Sequence, residues 1–239
     1  MQNRKALVIG AVAAAVAIAA ALILVSVLGS SGGGKKASTE TTTTSSTTAA
    51  ADTAALLNGI PQKLNGLGNP KAPVTMVEFA DLQCPFCREY ALNALPAILD
   101  EYVRPGKVRL IFAGLAFLGP DSEKALRAVY AAGLQNRLWN YVDLLYRDQG
   151  AENSGWVTET LLRSVAASIP GIDVAKLLRD RGGTEVDNGI LGVNQQATSA
   201  HVNSTPSFFA GPTGGTLQRM NISKLEPGAF RPTLDKLLK

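Results

Sequence analysis

The sequence predicts an α/β domain preceded by one N-terminal apolar helix and a flexible linker. Three observations predict the domain: a short β-branched, apolar run at 74–80, a helical pattern from Pro85 to about Tyr102, and a second strand pattern at 107–112. A strand, a helix of this length and another strand predict two parallel strands joined by a right-handed crossover. The 239 residues suffice for one well-buried domain or two small ones.

The N-terminal segment predicts a membrane anchor. Residues 6–28 carry no charge and consist almost entirely of Ala, Val, Leu and Ile. A helix of this length measures roughly 34 Å, which matches a hydrocarbon core of about 30 Å. A cleaved signal peptide is the alternative, but its apolar region has about 7–15 residues and ends at a small-residue cleavage site, which 27–30 does not provide. We therefore predict a cytoplasmic tip and transmembrane signal-anchor helix over 1–28.

The next segment predicts a tether. Residues 29–57 are mostly Gly, Ser, Thr, Ala and Lys. Such a composition buries too little apolar area to offset the entropy of ordering, so a disordered linker is expected. The folded domain is then predicted to occupy 58–239.

The remaining elements of the domain are predicted from periodicity and turn residues. Pro96 interrupts the first helical pattern, where a kink is expected. Asp near the N-cap marks two of the later helices. Further helical patterns form an insertion at about 121–200, with segments 126–145, 158–167, 173–181 and 187–200. A hairpin of the strands 207–210 and 217–220 follows, and a closing helix covers 230–239.

Charge and composition exclude two classes of function. The net charge of +4 is spread along the chain without a basic cluster, and aromatic residues make up 6%, so no nucleic-acid surface is predicted. With one histidine, His201, and two cysteines, a His/Cys metal site is hard to complete, and no metal is expected.

The motif that carries chemistry is Cys84-Pro85-Phe86-Cys87, which follows a strand and begins a helix. The free N–H groups and the dipole of a helix start favour an anion, so the pKa of Cys84 should be depressed. Pro85 fits the first helical position, and cysteines three residues apart there can close a disulfide. A structural staple is the alternative, but so short a loop contributes only about 2 kcal/mol. Half of a zinc site is another alternative, but the sequence offers no second pair of Cys or His ligands to complete it.

The chain from about Asn69 to Lys239 resembles the thioredoxin-fold family of the disulfide oxidoreductase DsbA. The resemblance depends on two motifs: the segment 74–83 leading into 84–87, and Val202-Asn203-Ser204-Thr205-Pro206-Ser207-Phe208-Phe209. It implies a thioredoxin fold with an inserted helical subdomain. Without an added cofactor, the working group would be the redox-active disulfide of Cys84 and Cys87.

The resemblance also implies roles for individual residues. Cys84 would be the exposed nucleophile and Cys87 the buried resolving thiol. The Thr205-Pro206 bond would be cis and face the disulfide, leaving the Thr205 backbone to pair with an extended substrate; an ordinary trans turn proline is the alternative. Glu78 would lie beneath the site and relay the proton of Cys87, unless it is a strand-end charge that reaches solvent.

One residue departs from the family pattern. Well-known oxidases of the family carry His at the position of Phe86, and Phe offers a thiolate neither a hydrogen bond nor a positive charge. We therefore expect a less depressed Cys84 pKa and a less oxidising couple than in those members.

The predicted function is a membrane-tethered thiol:disulfide oxidoreductase. Because disulfides persist outside the cytoplasm, the catalytic domain is expected on the extracytoplasmic side of a single-pass cell-membrane protein, oxidising cysteine pairs of exported polypeptides. The family implies re-oxidation by a quinone-linked membrane protein. A disulfide reductase or isomerase is the nearest alternative, and a non-enzymatic envelope interaction module a further one.

Overall fold

The computed structural model describes residues 40–239, with side chains from Thr48 onward. Within it, Thr43–Lys239 forms one compact unit. The predicted anchor over 6–28 lies outside the described residues. Among the helices between residues 40 and 239, none combines the length and apolar character needed to cross a membrane.

The described residues form six strands and eight helices, and five of the helices follow one another between the fourth and fifth strands. In chain order they are α1 (Glu40–Leu57), β1 (Gln62–Lys63), β2 (Gly66–Leu67), β3 (Val74–Asp81), α2 (85–103), β4 (Val108–Leu115), α3 (Pro120–Gly133), α4 (Leu138–Arg147), α5 (Glu159–Ser168), α6 (Val174–Asp180), α7 (Thr184–Ser199), β5 (Ser207–Pro212), β6 (Gln218–Arg219) and α8 (Pro227–Leu237).

The strands form one mixed sheet in the order β1-β2-β4-β3-β5-β6. The predicted parallel pair is confirmed, with Val74 opposite Val108 and Asp81 opposite Leu115. On its other side β3 pairs antiparallel with β5, and β5 with β6, which confirms the predicted hairpin. The short β1–β2 hairpin was not predicted, since strands of two residues leave no periodic signal.

The central strand β3 is buried along its whole length because helices cover both faces of the sheet. Met76 and Ala80 belong to the larger core cluster, which also contains Cys87 and Tyr90 of α2. Val77 and Phe79 point the other way and pack with the second cluster, to which Val193 and Ala197 of α7 contribute. Side chains alternate between faces, so Glu78 lies on the α2 side.

Helix α2 runs through Pro96 without ending. It consists of the α-helical segments Pro85–Glu89 and Leu95–Ile98 and the π-helical segments Tyr90–Ala94 and Leu99–Val103. Proline has no N–H to donate to the preceding turn, and π-helical turns beside it absorb the mismatch. The interruption predicted at Pro96 is therefore a change of helical pitch.

The helical insertion lies between β4 and β5 and comprises α3 to α7. The pattern over 126–145 forms two helices, α3 and α4, rather than one. Asp173 is the N-cap of α6 as predicted, its side chain accepting a hydrogen bond from the Lys176 N–H. The prediction for the last helix is wrong at its start: α7 begins three residues earlier, with Gly183 as N-cap and Asp187 inside the first turn.

The predicted linker is wrong over 40–57, and the domain begins earlier than residue 58. Helix α1 occupies this segment, and its second half is rich in Ala and Leu. Leu57 is buried, and Ala49, Ala50 and Leu56 pack against the core. The composition of 29–57 as a whole concealed this apolar half, and burial against the domain supplies the energy that ordering requires. Residues 49–57 therefore pack as part of the domain and do not belong to a free linker.

Candidate active site

The end of β3 and the start of α2 place Cys84 at the N-terminus of a helix. Cys84 is the N-cap residue, with φ −70° and ψ 119°, and Pro85 opens the first turn. Its N–H donates to the Asp81 carbonyl at 3.0 Å, which closes the turn between strand and helix. The thiol therefore stands where unpaired N–H groups and the helix dipole favour a negative charge.

Both cysteines are present as thiols and both are largely enclosed. Cys87 is 0% exposed and Cys84 4% exposed. The expectation of an exposed nucleophile is wrong in degree, because the loop containing Thr205 approaches the Cys84 thiol. Cys84 is nevertheless the more accessible of the two, so attack by an outside sulfur begins there.

The two thiols differ strongly in acidity. The hydrogen bond with the Cys87 thiol is the main influence that lowers the pKa of Cys84 from 9.0 to about 6, against the opposing effect of burial. The Thr205 side chain and the backbone N–H groups of Phe86 and Cys87 lower this pKa further. Burial raises the pKa of Cys87 well above its ordinary value, and the charge on Cys84 adds to the rise. Cys84 is therefore the thiolate at neutral pH, and Cys87 keeps its proton.

The loop before β5 faces the Cys84 thiol. The Thr205-Pro206 peptide bond is cis, as the resemblance implied. The Cys84 thiol donates to the Thr205 carbonyl across 3.3 Å. This contact exists only while Cys84 carries a proton, whereas the Thr205 side chain favours the thiolate. The loop therefore contacts Cys84 in both protonation states.

Glu78 is a buried carboxyl group beneath the cysteine pair, not a strand-end charge that reaches solvent. It is 4% exposed, and its Oε1 has no hydrogen-bond partner among the described residues. Burial raises its pKa from 4.5 to about 8, and the charge on Cys84 adds to the rise. Glu78 in turn raises the pKa of Cys87, which shows that the two groups interact. At neutral pH the carboxyl is protonated.

The turn before Cys84 is held by a polar network that the sequence did not predict in full. Asp81, expected only to cap a loop, is 0% exposed. Its carboxylate accepts from the backbone N–H groups of Gln83, Phe117 and Leu118 and from the Ser122 hydroxyl. These contacts tie the turn to the loop after β4 and to the start of α3.

Two further side chains of the network come from the insertion. The Gln83 amide contacts Ser122 and Asn153, and the Gln149 amide donates to the carbonyls of Leu82 and Cys84 at 2.8 and 3.2 Å. Contacts across about 70 residues leave no local sequence signal, so these residues could not be predicted. The predicted site residues Cys84, Cys87, Glu78 and Thr205 are all brought together.

Phe86 and Pro206 line a groove beside the cysteines, which also contains Phe208 and Met220. Phe86 is 60% exposed. An apolar side chain this open lies outside the core, at the mouth of the site. The Phe86 side chain supplies no hydrogen-bond donor to Cys84, as the sequence predicted.

An acidic thiol at a helix N-terminus, a second, protonated thiol one turn later and a buried carboxyl behind them define a thiol–disulfide exchange centre. The first thiolate attacks a disulfide sulfur, and the second thiol resolves the mixed disulfide once it loses its proton. Within residues 40–239 no cluster of three or more His, Cys, Asp or Glu side chains could hold a metal ion. The class of protein is thus a dithiol–disulfide oxidoreductase built on a mixed sheet with a helical insertion.

Comparisons with known proteins agree with this class. A family model described as thioredoxin matches residues 63–216. The probable disulfide bond formation protein D of Bacillus anthracis is 30% identical over 177 residues, which cover 72% of this chain and 77% of that protein. The chain belongs to the thioredoxin family and is a DsbA-like thiol:disulfide oxidoreductase.

Solved structures share the fold. Oxidised BdbD from Bacillus subtilis superimposes with a TM-score of 0.64 at 22% identity, over 75% of this chain and 97% of that one. Wolbachia pipientis alpha-DsbA1 gives a TM-score of 0.63 at 22% identity, over 76% of this chain and 92% of that one. The thioredoxin fold with an inserted helical subdomain is therefore confirmed.

Proposed function

We propose that this protein is a membrane-tethered oxidase that donates the Cys84–Cys87 disulfide to cysteine pairs of exported polypeptides. The observation that carries the direction of the reaction is the acidity of Cys84, whose pKa is lowered to about 6. This pKa lies between the values of roughly 7 for thioredoxin and roughly 3.5 for DsbA. A stabilised thiolate stabilises the reduced protein, which makes the disulfide a stronger oxidant.

The reaction proceeds by two exchanges. A substrate thiolate attacks the Cys84 sulfur of the disulfide, the S–S bond breaks, and Cys87 leaves with the electron pair. The second substrate thiolate then attacks the substrate sulfur of the mixed disulfide and expels Cys84 as a thiolate. The substrate gains a disulfide, and two electrons remain on the protein as the dithiol. Because a low-pKa thiol leaves faster, the acidity of Cys84 favours release of the oxidised substrate.

Glu78 relays a proton in the first exchange. Cys87 has a pKa well above its ordinary value, so it leaves poorly without a proton. Glu78 is protonated at neutral pH because its pKa is about 8. Its carboxyl can therefore protonate the departing Cys87 sulfur and recover the proton from solvent later.

The Thr205 backbone pairs with an extended substrate segment next to the reacting sulfurs. The carbonyl of Thr205 already lies 3.3 Å from the Cys84 sulfur, at the rim of the groove lined by Phe86 and Pro206. Main-chain pairing of this kind is independent of substrate sequence, which suits an enzyme that acts on many exported chains.

The tether is the apolar segment over 6–28, and it places the catalytic domain on the extracytoplasmic side of the cell membrane. Disulfides persist in that compartment, so a disulfide donor such as the Cys84–Cys87 pair stays oxidised there. After each turnover two electrons pass to a quinone-linked membrane protein. A tether raises the effective concentration of the domain near such a partner.

The reduction potential of the full chain, purified in detergent and equilibrated in glutathione buffers, tests the direction. We expect a value between about −120 and −180 mV, in the range of oxidases and isomerases. A value near about −270 mV would contradict the proposal, since the dithiol would then be the useful form. Cys84→Ser should abolish oxidation of a reduced substrate. Cys87→Ser keeps the Cys84 thiol but cannot form the Cys84–Cys87 disulfide, so it should also fail to oxidise a reduced substrate.

A further inference from the structure

The loop of residues 200–207 sets the surroundings of the Cys84 sulfur. It joins α7 to β5 and contains Thr205, whose carbonyl lies 3.3 Å from that sulfur. Most of the loop is exposed or half-buried; Val202 is buried in the second core cluster, and Ala200 packs against that cluster. A loop so lightly packed needs other contacts to hold Thr205 in place.

The guanidinium of Arg219 binds both ends of this loop. At the first end Nη2 donates to the carbonyl oxygens of His201 at 3.0 Å and of Ala200 at 3.5 Å. At the other end Nη1 donates to the Ser207 hydroxyl at 3.1 Å. Arg219 is opposite Phe209 in the β5–β6 pair, and its Cζ lies 4.8 Å from the centre of the Phe209 ring. The planar guanidinium, whose N–H donors have a fixed geometry, is thereby held over strand β5.

The contact with Ser207 extends to the residue before Thr205. The Ser207 hydroxyl, which Arg219 donates to, itself donates to the Ser204 carbonyl at 2.8 Å. Ser207 is 5% exposed, so this bond is shielded from water. In the described part of the chain no carboxylate pairs with Arg219. Its hydrogen bonds are therefore directed to the loop and not to an ion pair.

We propose that Arg219 is a positioning residue that clamps the loop 200–207 and so holds Thr205 against the Cys84 thiol. The sequence gives no hint of this role, because Arg219 lies on a two-residue edge strand far from the cysteine motif. The inference rests on the thiol–disulfide chemistry of Cys84 and is independent of the direction of electron flow proposed above.

The consequence is measurable at the sulfur itself. The Thr205 side chain lowers the pKa of Cys84, so a loosened loop should raise it. We expect Arg219→Leu to move the midpoint of Cys84 alkylation to higher pH and to lower the rate with iodoacetamide at pH 6, relative to the rate at the high-pH plateau, about threefold to fivefold. Arg219 also lines the groove beside Phe86. Iodoacetamide is too small to use that groove, and the midpoint of its pH profile reports on the acidity of the sulfur separately from changes in its accessibility.

Three variants of the full chain separate positioning from charge and from folding. Ser207→Ala breaks the link to Ser204 and keeps the arginine, and it should shift the midpoint in the same direction by a smaller amount. Arg219→Lys keeps the charge but lacks the several N–H donors of the guanidinium, so its alkylation midpoint should resemble that of Arg219→Leu. Arg231→Leu removes an arginine that pairs with Glu101 on another surface, and it should leave the midpoint unchanged.

A further measurement shows whether Arg219 acts through Thr205. Thr205→Val alone should raise the midpoint, and adding Arg219→Leu to it should add little, since both changes remove the same contact. An unchanged midpoint in folded Arg219→Leu, full rescue by Arg219→Lys, or additive shifts in the double variant would overturn the proposal. A reduction potential typical of a reductase, with these shifts present, would contradict the oxidase and leave the clamp intact.

Discussion

Cys84 and Cys87 lie three residues apart, and their acidities are shifted in opposite directions. Cys84 occupies the N-cap, where the hydrogen bond with the Cys87 thiol, followed by those with the Thr205 side chain and backbone N–H groups, lowers its pKa to about 6. Cys87 lies inside the core, where burial raises its pKa well above the ordinary value. A turn of helix thus separates a good leaving group from a thiol that needs a proton donor, and the asymmetry orders the two exchanges.

We expect the residue at position 86 to influence how far the Cys84 pKa falls, because the Phe86 side chain offers the thiolate neither a hydrogen bond nor a positive charge. Phe86→His places a donor and a partial positive charge at the helix start, where they favour the thiolate. We expect the Cys84 pKa to fall below about 6 and the couple to become more oxidising by about 30 mV, or tenfold in the equilibrium constant with glutathione. Thiolate absorbance against pH and glutathione equilibration measure the two effects.

Phe86→Leu is the matched control for that substitution. It keeps an apolar side chain at a position that is 60% exposed, and it should leave both quantities unchanged. If the histidine variant titrates like the parent, residue 86 does not set the acidity of Cys84.

Glu78 makes stability depend on pH. Its pKa rises from 4.5 when unfolded to about 8 when folded, so between these values the folded protein holds a proton that the unfolded chain has lost. The free energy of unfolding therefore falls as pH rises from 4.5 to 8, by on the order of 3 kcal/mol at pH 7. Glu78→Gln should remove this dependence and be the more stable protein at pH 8, with little difference at pH 5.

Urea unfolding of the reduced protein at several pH values tests this. Glu101→Gln is a control of opposite sign, since Arg231 holds the pKa of that exposed carboxyl below its usual value. Its removal should slightly lower stability above the unfolded pKa of Glu101. Parallel stability curves for the parent and Glu78→Gln would show that the buried carboxyl does not carry the effect.

Helix α1 is an element that its own composition does not stabilise. A helix rich in Thr and Ser in its first half has low intrinsic propensity. The folded domain holds it through Leu57 in the core and through Arg104, whose guanidinium donates to the carbonyl of Leu56 at 3.1 Å and to that of Asn58. The second half of the helix is therefore part of the catalytic domain.

The buried hydrogen bond from Thr53 to Asp143 fixes α1 to α4. Thr53 is 1% exposed, and among the described residues Asp143 otherwise accepts only from Arg147, at 2.7 Å. Thr53→Val keeps the shape but leaves a buried carboxylate short of a donor, at a cost of about 1–3 kcal/mol. Urea unfolding should show this loss, and limited proteolysis should cut earlier within 48–57.

Thr53→Ser keeps the hydroxyl and loses one methyl group, so it should cost less than Thr53→Val. Equal stability of Thr53→Val and the parent would mean that water replaces the threonine donor and that the bond does not fix α1.

At the scale of the whole molecule, the active site lies where the thioredoxin sheet meets the insertion. The carboxyl ends of the parallel strands β3 and β4 bring Asp81 and Phe117 together, and the insertion contributes Ser122 and Gln149 to the same turn. The insertion therefore helps to hold the turn that carries Cys84. On the opposite side of Cys84, the loop 200–207 and Arg219 complete the enclosure.

The sequence by itself determined the chemistry and the frame that carries it. Cys84 and Cys87 after a β-branched strand, at the start of a helix with Pro85 in its first turn, are local signals, and they predicted the motif and its parallel strand pair correctly. The second motif around Pro206 was also predicted, through its resemblance to a family. These signals are strong because capping, periodicity and backbone restriction act over a few residues.

The tertiary structure decided which groups enclose the sulfurs and how acidic each one is. The burial of Glu78, the 4% exposure of Cys84, the clamp of Arg219 and the docking of α1 depend on contacts between residues far apart in the chain. Composition predicted a free linker at α1 because helix propensity takes no account of contacts such as that between Thr53 and Asp143, which are 90 residues apart in the chain. A pKa likewise depends on desolvation and neighbouring charges, which exist only once the chain has folded.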